Sequence, residues 1–115
     1  MTYFELIFNR KRKNTLIVMF DYCSEGIWGK NAYYRFNRLP KELQKEFLKW
    51  INDSQATYFF DENNKYRLKK IDKKGLELSF KLKKTLIRYK VLLQSENGSK
   101  FIILKNKKIN FYKNK

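Results

Sequence analysis

The chain has 115 residues and a formal net charge of +16, from 27 Lys and Arg against 11 Asp and Glu. It contains no histidine and one cysteine, which excludes an intramolecular disulfide and any catalysis that uses histidine as acid, base or metal ligand. Hydrophobic residues make up 43% of the chain and aromatic residues 17%, too much for a disordered basic tail. We expect residues 1–115 to form a single domain.

The first predicted elements are strands. Residues 3–8 and 15–22 are rich in aromatic and β-branched side chains, and the second run is apolar on both faces, which predicts a central strand. The polar segment between them has the length of a turn, so we expect a β-hairpin with a basic tip. Residues 24–31 contain two glycines and are predicted to form a loop or bulge, and residues 32–36 a short edge strand.

A helix is predicted to follow. Pro40 marks its start, because proline is favoured at the first helical position, and the pattern fades near Asp53 or one turn later. Apolar residues recur at i, i+4, i+7 and i+8, which places them on one core-facing side. The residues on that side are Leu43, Phe47, Trp50 and Ile51. Residues 61–65 are polar and predict a loop.

Residues 72–87 allow two interpretations. Leucine and phenylalanine alternate with polar residues from Leu76 to Leu82, as in a strand. On a helical wheel, however, the apolar residues lie on one side, the length suits a helix, and Asp72 is of a type preferred at helix N-caps. We favour the helix and keep the strand as the alternative. A basic amphipathic helix of this kind is also typical of segments that lie on membrane surfaces, an interpretation that we rank lower.

The C-terminal segment predicts a second hairpin. Residues 89–93 and 100–104 are predicted strands on either side of an Asn97-Gly98 turn. Residues 109–112 are expected to add an edge strand, with residues 105–115 as the alternative of a frayed basic tail. The predicted order, β-β-(β)-α-α-β-β, is an α+β fold in which two helices pack on one face of a small antiparallel sheet.

The positive charge is concentrated in the second half of the chain. Residues 1–62 contain 10 basic and 8 acidic residues, whereas residues 63–115 contain 17 basic and 3 acidic residues. An AT-rich codon bias would raise the number of lysines, but it does not explain the scarcity of carboxylates. A field of this sign attracts polyanions, of which nucleic acid is the commonest.

Lysine greatly outnumbers arginine in the basic half, which favours contact with phosphates over recognition of base edges. Tyr66, Tyr89 and Tyr112 lie beside basic residues and are candidates for stacking on unpaired bases. The predicted nucleic-acid-binding residues are Lys69, Lys70, Lys73, Lys74, Lys81, Lys83, Lys84, Arg88 and Lys90, with Arg10, Lys11, Arg12 and Lys13 at the hairpin tip; Lys105, Lys107 and Lys108 form a further basic group.

No combination of residues in the sequence has a catalytic signature. Asp61, Glu62 and Asp72 are the only carboxylates whose grouping suggests a metal site, and a solvated loop and a helix cap explain them better. Cys23 follows a hydrophobic strand, as a small buried thiol does. We therefore expect no enzymatic activity, no metal, no cofactor and no small-molecule substrate.

The sequence also predicts a soluble cytoplasmic protein with no membrane partner. The single thiol suits a reducing compartment, and no apolar run approaches the length of a membrane span. The first residues lack the basic and apolar regions of a signal peptide.

In size, strong charge and lack of a catalytic set, the whole chain resembles small proteins encoded by phages and mobile elements, and among them the anti-CRISPR proteins. This resemblance implies a non-enzymatic inhibitor that acts in the cytoplasm of a bacterial host cell. A chain with a charge of +16 cannot mimic nucleic acid. The implied partner is therefore RNA or an RNA-guided nuclease ribonucleoprotein, through its guide RNA or an acidic surface, with an RNA-targeting (type VI) effector as one example.

Two alternatives remain open. In size and charge the chain is also similar to the ribosome-dependent mRNA interferase toxins, metal-independent ribonucleases that work with Arg, Lys and Tyr. Arg67, Arg88, Tyr89 and Lys90 are residues of that kind, although those toxins begin with strand, helix, helix and this chain begins with a predicted hairpin. The other alternative is a DNA- or ribosome-associated accessory binding module.

Overall fold

The computed structural model describes residues 14–21, 25–61, 65–96 and 98–112. It confirms the α+β class. The predicted strand at residues 3–8, the basic tip of its hairpin and Cys23 lie outside the described residues. In chain order the elements are β1 (Thr15–Val18), β2 (Ile27–Trp28), α1 (Ala32–Asn37), α2 (Lys41–Asp61), α3 (Lys65–Thr85), β3 (Lys90–Gln94), β4 (Lys100–Ile103) and β5 (Lys108–Tyr112).

The five strands form one sheet in the order β2-β1-β3-β4-β5. β1 is an interior strand with a neighbour on each side, consistent with its buried sequence, and pairs antiparallel with β2 and parallel with β3. β3, β4 and β5 form an antiparallel meander. The sheet is therefore mixed and not purely antiparallel as predicted, because the chain crosses over through the helices between β1 and β3 and returns in the direction of β1.

The helices pack on one face of this sheet. Successive strand residues point to opposite faces, so every second residue of β1 and β3 faces the helices. Ile17 and Leu92, on the opposite face, form a smaller buried cluster with Met19, Trp28 and Ile102 packed against them. The strand residues of the main core are Leu16, Val18, Ile27, Val91, Leu93 and Ile103.

Trp50 lies at the centre of the helical layer. Its Nε1 donates a hydrogen bond to the Ile71 carbonyl at 3.0 Å, which joins α2 to α3. A Cβ placed on Gly75 of α3 would lie 2.9 Å from Trp50 Cζ2, and one placed on Gly26 would lie 3.1 Å from Trp50 Cζ3. The indole therefore fills a space that two glycines leave open, with the Phe47 ring edge-on at 6.3 Å between centroids.

The predicted helix at residues 40–53 is confirmed, and its core-facing side is buried as expected. α2 continues two turns further, to Asp61. The helical interpretation of residues 72–87 is also confirmed, but α3 begins earlier, at Lys65. Asp72 is therefore not an N-cap. Its carboxylate instead accepts a hydrogen bond from the Glu96 backbone N–H at 2.7 Å.

The predicted edge strand at residues 32–36 is wrong, because this segment forms α1. Its tyrosines and phenylalanine suggested a strand, but tertiary packing decided the outcome: Phe36 is buried and contacts Phe47 edge to face, with 6.4 Å between ring centroids. Asn31 has a left-handed backbone (φ 63°) at the start of α1. Residues 108–112 of the alternative frayed tail pair with β4 as strand β5.

We expect Gly75→Ala to destabilise the fold even though alanine is the better helix former by about 1 kcal/mol. The new methyl group meets the Trp50 ring, and overpacking of this kind costs about 1–3 kcal/mol. Chemical denaturation should show a lower free energy of unfolding. In a Trp50→Leu background, which lacks the contacting ring atoms, the same substitution should cost less; an equal cost in both backgrounds would contradict the role given to this contact.

Phe47→Ala and Trp50→Ala should each lower the free energy of unfolding by about 3–5 kcal/mol, because each removes a large aromatic side chain from the core. Phe47 is 0% exposed and Trp50 5%. Leu48→Ala is the control, since Leu48 on the same helix is 44% exposed. Melting curves of the two core variants that match the parent would refute this placement of the core.

Candidate nucleic-acid interface

The topology brings several chain segments to one end of the sheet. β1 and β3 are parallel and start together, with Thr15 opposite Lys90. The backbone N–H of Lys90 donates to the Asn14 carbonyl at 2.8 Å. Because β3, β4 and β5 are antiparallel neighbours, the turn between β4 and β5 lies at this same end.

Two helices reach this end as well. The chain leaves β2 beside the start of β1 and enters α1 through a turn in which the Ala32 N–H donates to the Gly29 carbonyl at 3.1 Å. α3 ends at Thr85, and a short turn leads from it into β3. Arg35 of α1 lies over the ring of Tyr89 in that turn, with Cζ 5.0 Å from the ring centroid. This contact joins the two segments.

The strand ends, α1 and the end of α3 contribute only positive charge at this end, and Glu42 in the first turn of α2 lies 3.7 Å from Lys45. Segments 14–18, 28–38, 82–91 and 103–108 contain no Asp or Glu. Five strands at the usual spacing make the end of the sheet about 19 Å wide. Arg35 and Lys90 are half-buried and the other cations are exposed. We call this surface the basic end; its cations are Lys30, Arg35, Arg38, Lys84, Arg88, Lys90, Lys105 and Lys107.

Carboxylates occur at the opposite end of the sheet. The connection between β1 and β2 contains Asp21 and Glu25, and the turn between β3 and β4 contains Glu96. Asp72 joins them through its hydrogen bond from the Glu96 N–H. Charge is therefore separated along the strand direction, which the sequence order does not reveal.

Two of the predicted binding lysines are partly neutralised. Lys81 Nζ lies 2.6 Å from Glu46 Oε1, and Lys74 Nζ lies 3.7 Å from the same oxygen and 3.4 Å from Glu77 Oε2. The hydrogen bond from Lys81 is the main cause that lowers the pKa of Glu46 below its ordinary value. These lysines link α3 to α2, so they are less available to a phosphate than their sequence positions suggested.

Lys83 has a structural partner too. Its Nζ donates to the carbonyls of Ile87 at 3.1 Å and Tyr89 at 2.6 Å. A cation at this position satisfies carbonyl groups beyond the last turn of α3 and suits the negative end of the helix dipole. Lys83 therefore holds the turn that presents Arg88 and Tyr89.

Lys69 and Lys73, two further predicted lysines of α3, lie near Asp72. Lys69 and Lys73 line a cleft of about 310 Å³ with Asp72 and Lys108, where the Lys108 Nζ lies 4.5 Å from the centroid of the Phe101 ring. Burial is the main cause that raises the pKa of Asp72, against the opposing effects of the Glu96 N–H and the charge of Lys108.

Lys70 lies on a different surface. It lines a recess of about 680 Å³ between α2 and α3, whose other charged residues are Glu46, Lys49, Asp53 and Lys74. Both recesses beside the first half of α3 are therefore of mixed charge.

The structure places Lys84, Arg88 and Lys90, of the residues predicted from the sequence, at the basic end. Arg10, Lys11, Arg12 and Lys13 lie outside the described residues. Of the predicted stacking residues, Tyr89 is half-buried beneath Arg35. The side chains of Tyr66 and Tyr112 are likewise outside the described part of the chain.

Helix α1 contributes two arginines to this surface that the sequence patterns did not predict. Arg38 Cζ lies 4.1 Å from the centroid of the Tyr34 ring, and Arg35 Cζ lies 5.5 Å from it. The spacing of Tyr34 and Arg38, i and i+4, was visible in the sequence, but it predicts a contact only on a helix, and the segment had been predicted as a strand.

Within the described residues, no three Cys, Asp or Glu side chains come close enough together to hold a metal ion. No helix in that part of the chain is both long and apolar enough to span a membrane. Comparisons of the chain with protein-family models, with curated proteins and with solved structures found no match. The function proposed below therefore rests on the geometry and charge of the basic end.

Asp72→Asn should gain stability relative to the parent as the pH rises from about 3 to about 7, across the ordinary carboxyl range. A carboxyl group whose pKa is raised in the folded state lowers the free energy of unfolding as the pH rises, because burial disfavours its ionised form. Asparagine keeps an oxygen that accepts from the Glu96 N–H and does not ionise. The measurement is the free energy of unfolding of both proteins at each pH.

Glu46→Gln is the control with the opposite sign. The pKa of Glu46 is lowered in the folded state, so its contribution is present above the ordinary carboxyl pKa and is lost as the pH falls. This variant should therefore lose stability relative to the parent as the pH rises. The same trend in both variants would contradict the assigned environments.

Proposed function

We propose that the protein binds RNA through the basic end. The observation that supports this proposal is the convergence of eight cations from three chain segments on one end of the sheet, in segments that contain no carboxylate. Neutralisation of phosphates by such a surface releases counterions, which is the main source of affinity in sequence-independent binding. Most of these cations are lysines, which suit contact with the backbone more than recognition of base edges.

The basic end is better suited to this role than the exposed side of α3. Lys74 and Lys81 share Glu46, and Glu77 interrupts the same side of the helix. A phosphate approaching there meets carboxylates whose charge opposes it. At the basic end, segments 28–38, 82–91 and 103–108 contain only cations and neutral groups.

Binding of single-stranded RNA should weaken steeply with salt. If four to six phosphates are neutralised, the slope of log K against log salt should be roughly −3 to −4. Fluorescence anisotropy with a labelled oligouridylate of about 12 nucleotides measures this, since that length matches typical single-strand sites. Three results would contradict the proposal: an affinity that does not change with salt, no binding at low salt, or binding at least tenfold tighter to a single-stranded DNA oligomer of equal length.

Charge reversal identifies the surface. Lys84→Glu with Arg88→Glu should weaken RNA binding by at least tenfold and reduce the salt slope by roughly 1.4, the value of two phosphate contacts. The matched control is Lys45→Glu with Lys49→Glu, which changes the net charge equally on α2. Lys81 is not used, because its partner Glu46 lies on α2 and its reversal would break a contact between the two helices. The partners of Lys45 and Lys49 are exposed and lie on the same helix as the lysines, where such pairs contribute little to stability. Equal losses from the two pairs would mean that net charge alone attracts RNA.

We further propose that the biological form of this activity is inhibition of an RNA-guided nuclease through its guide RNA, as in a phage-encoded anti-CRISPR protein. A basic surface that reads the phosphate backbone and not base edges suits a guide RNA of any sequence. Purified type VI effector with its guide provides the test. Target cleavage should fall on addition of the protein and recover with the Lys84/Arg88 reversal; undiminished cleavage at saturating protein would refute this form.

One observation supports an RNase alternative. The basic end brings Arg35 over Tyr89, next to Arg88 and Lys90, which are residues that metal-independent ribonucleases use. If the protein cleaves RNA, an end-labelled RNA should give discrete products in EDTA, and Tyr89→Phe should abolish them while leaving binding intact. Intact RNA at saturating protein supports the binding function.

A further inference from the structure

Helix α1 exposes two aromatic side chains beside the basic end. Tyr33 is 71% exposed and Tyr34 50%. Exposure of large rings to water is unfavourable, and neighbouring exposed rings beside polar groups are typical of recognition surfaces. Tyr33 and Tyr34 lie in the segment that connects β2 to α2, within a stretch that has no carboxylate.

Two guanidinium groups are held against these rings. Arg38 Cζ lies 4.1 Å from the Tyr34 centroid, and Arg35 lies between Tyr34 and Tyr89, at 5.5 and 5.0 Å from their centroids. Within the described residues neither arginine is paired with a carboxylate, and Arg35 Nε is buried without a hydrogen-bond partner. Both charges are therefore positioned by stacking and remain uncompensated, which is the arrangement that an incoming phosphate would complete.

The rings and charges surround a recess. Tyr33, Tyr34, Asn37 and Arg38 line a space of about 370 Å³. The Asn37 amide nitrogen donates to the Tyr33 carbonyl at 2.8 Å, which holds the side chain and leaves its amide oxygen as an acceptor. A flat nucleobase that stacks on a tyrosine ring here could donate to that oxygen.

We infer that the recess formed by Tyr33, Tyr34, Asn37 and Arg38 is a stacking site for one or two unpaired bases of single-stranded RNA, whose phosphates contact Arg35, Arg38 and the rest of the basic end. This inference rests on the proposed function and specifies its ligand. A duplex keeps its bases stacked on one another and would leave these rings unused, whereas the splayed bases of a single strand match them.

The recess and the basic end divide recognition between them. Stacking tolerates any base, because every base has a π-face, and the arginines and lysines contact the backbone, so little sequence preference is expected. The contact of Arg35 with Tyr89 holds α1 beside the turn after α3. The residues that would contact bases and those that would contact phosphates therefore lie on one surface.

The test compares two labelled oligomers of about 12 nucleotides, oligouridylate and an abasic strand with the same backbone. Tyr33→Ala should weaken binding of oligouridylate by about tenfold, within the range measured for loss of one stacked base, and should change binding of the abasic strand less than twofold. Tyr33→Phe keeps the ring and should bind both as the parent does. Tyr33 is the most exposed aromatic residue of α1, so its removal should leave the melting temperature unchanged.

The controls separate this inference from the proposed function. The Lys84/Arg88 reversal should weaken binding of both oligomers, because phosphates are common to them. Equal effects of Tyr33→Ala on the two oligomers, or preference of the parent for duplex RNA, would overturn the stacking site while leaving RNA binding in place. No binding of the parent to either oligomer at low salt would refute the proposed function itself, and the stacking site with it.

Discussion

The helical layer depends on how the Trp50 indole is accommodated. Gly75 on α3 and Gly26 at the end of the β1–β2 connection lack the Cβ atoms that would otherwise meet the ring, and the Ile71 carbonyl accepts the hydrogen bond from the indole N–H. A glycine in the middle of a helix lowers helix stability by about 1 kcal/mol, so its presence at position 75 makes sense only because α2 must approach closely there. This close approach sets the antiparallel packing of α2 on α3, and Glu46 then meets Lys74 and Lys81 across the same helix pair.

The parallel pairing of β1 with β3 is the second constraint. Because of this pairing β3 starts at the same end of the sheet as β1, so Asn14, the turn after α3 and the turn between β4 and β5 become neighbours. Lysines distant in sequence thereby form one surface, and the carboxylates of the other connections collect at the opposite end. The separation of charge is a consequence of topology, with no ion pair across the described part of the basic end to offset it.

The number of exposed cations does not show which of them contact a ligand. A surface ion pair contributes little to stability, but the carboxylate still offsets the positive charge of its partner. The lysines of α3 illustrate this. Lys81 and Lys74 share one carboxylate, and Lys83 satisfies backbone carbonyls, so three of the most prominent cations in the sequence have partners inside the protein. Arg35 and Arg38, in the half of the chain that has 10 basic and 8 acidic residues, lie on aromatic rings without a carboxylate partner in the described residues.

The sequence by itself determined the α+β class, the interior position of β1, the start and buried side of α2, the helical nature of α3 and the hairpin of β3 and β4, because hydrophobic periodicity, Pro40 and Asn97-Gly98 are local signals. Only the tertiary structure decided that residues 32–37 are helical, since the burial of Phe36 against Phe47 overrides their strand preference. It also decided the parallel pair and the role of each lysine. A pattern of charges records which residues are cationic, but whether a cation meets a carboxylate, a carbonyl or solvent depends on which distant segment folds against it.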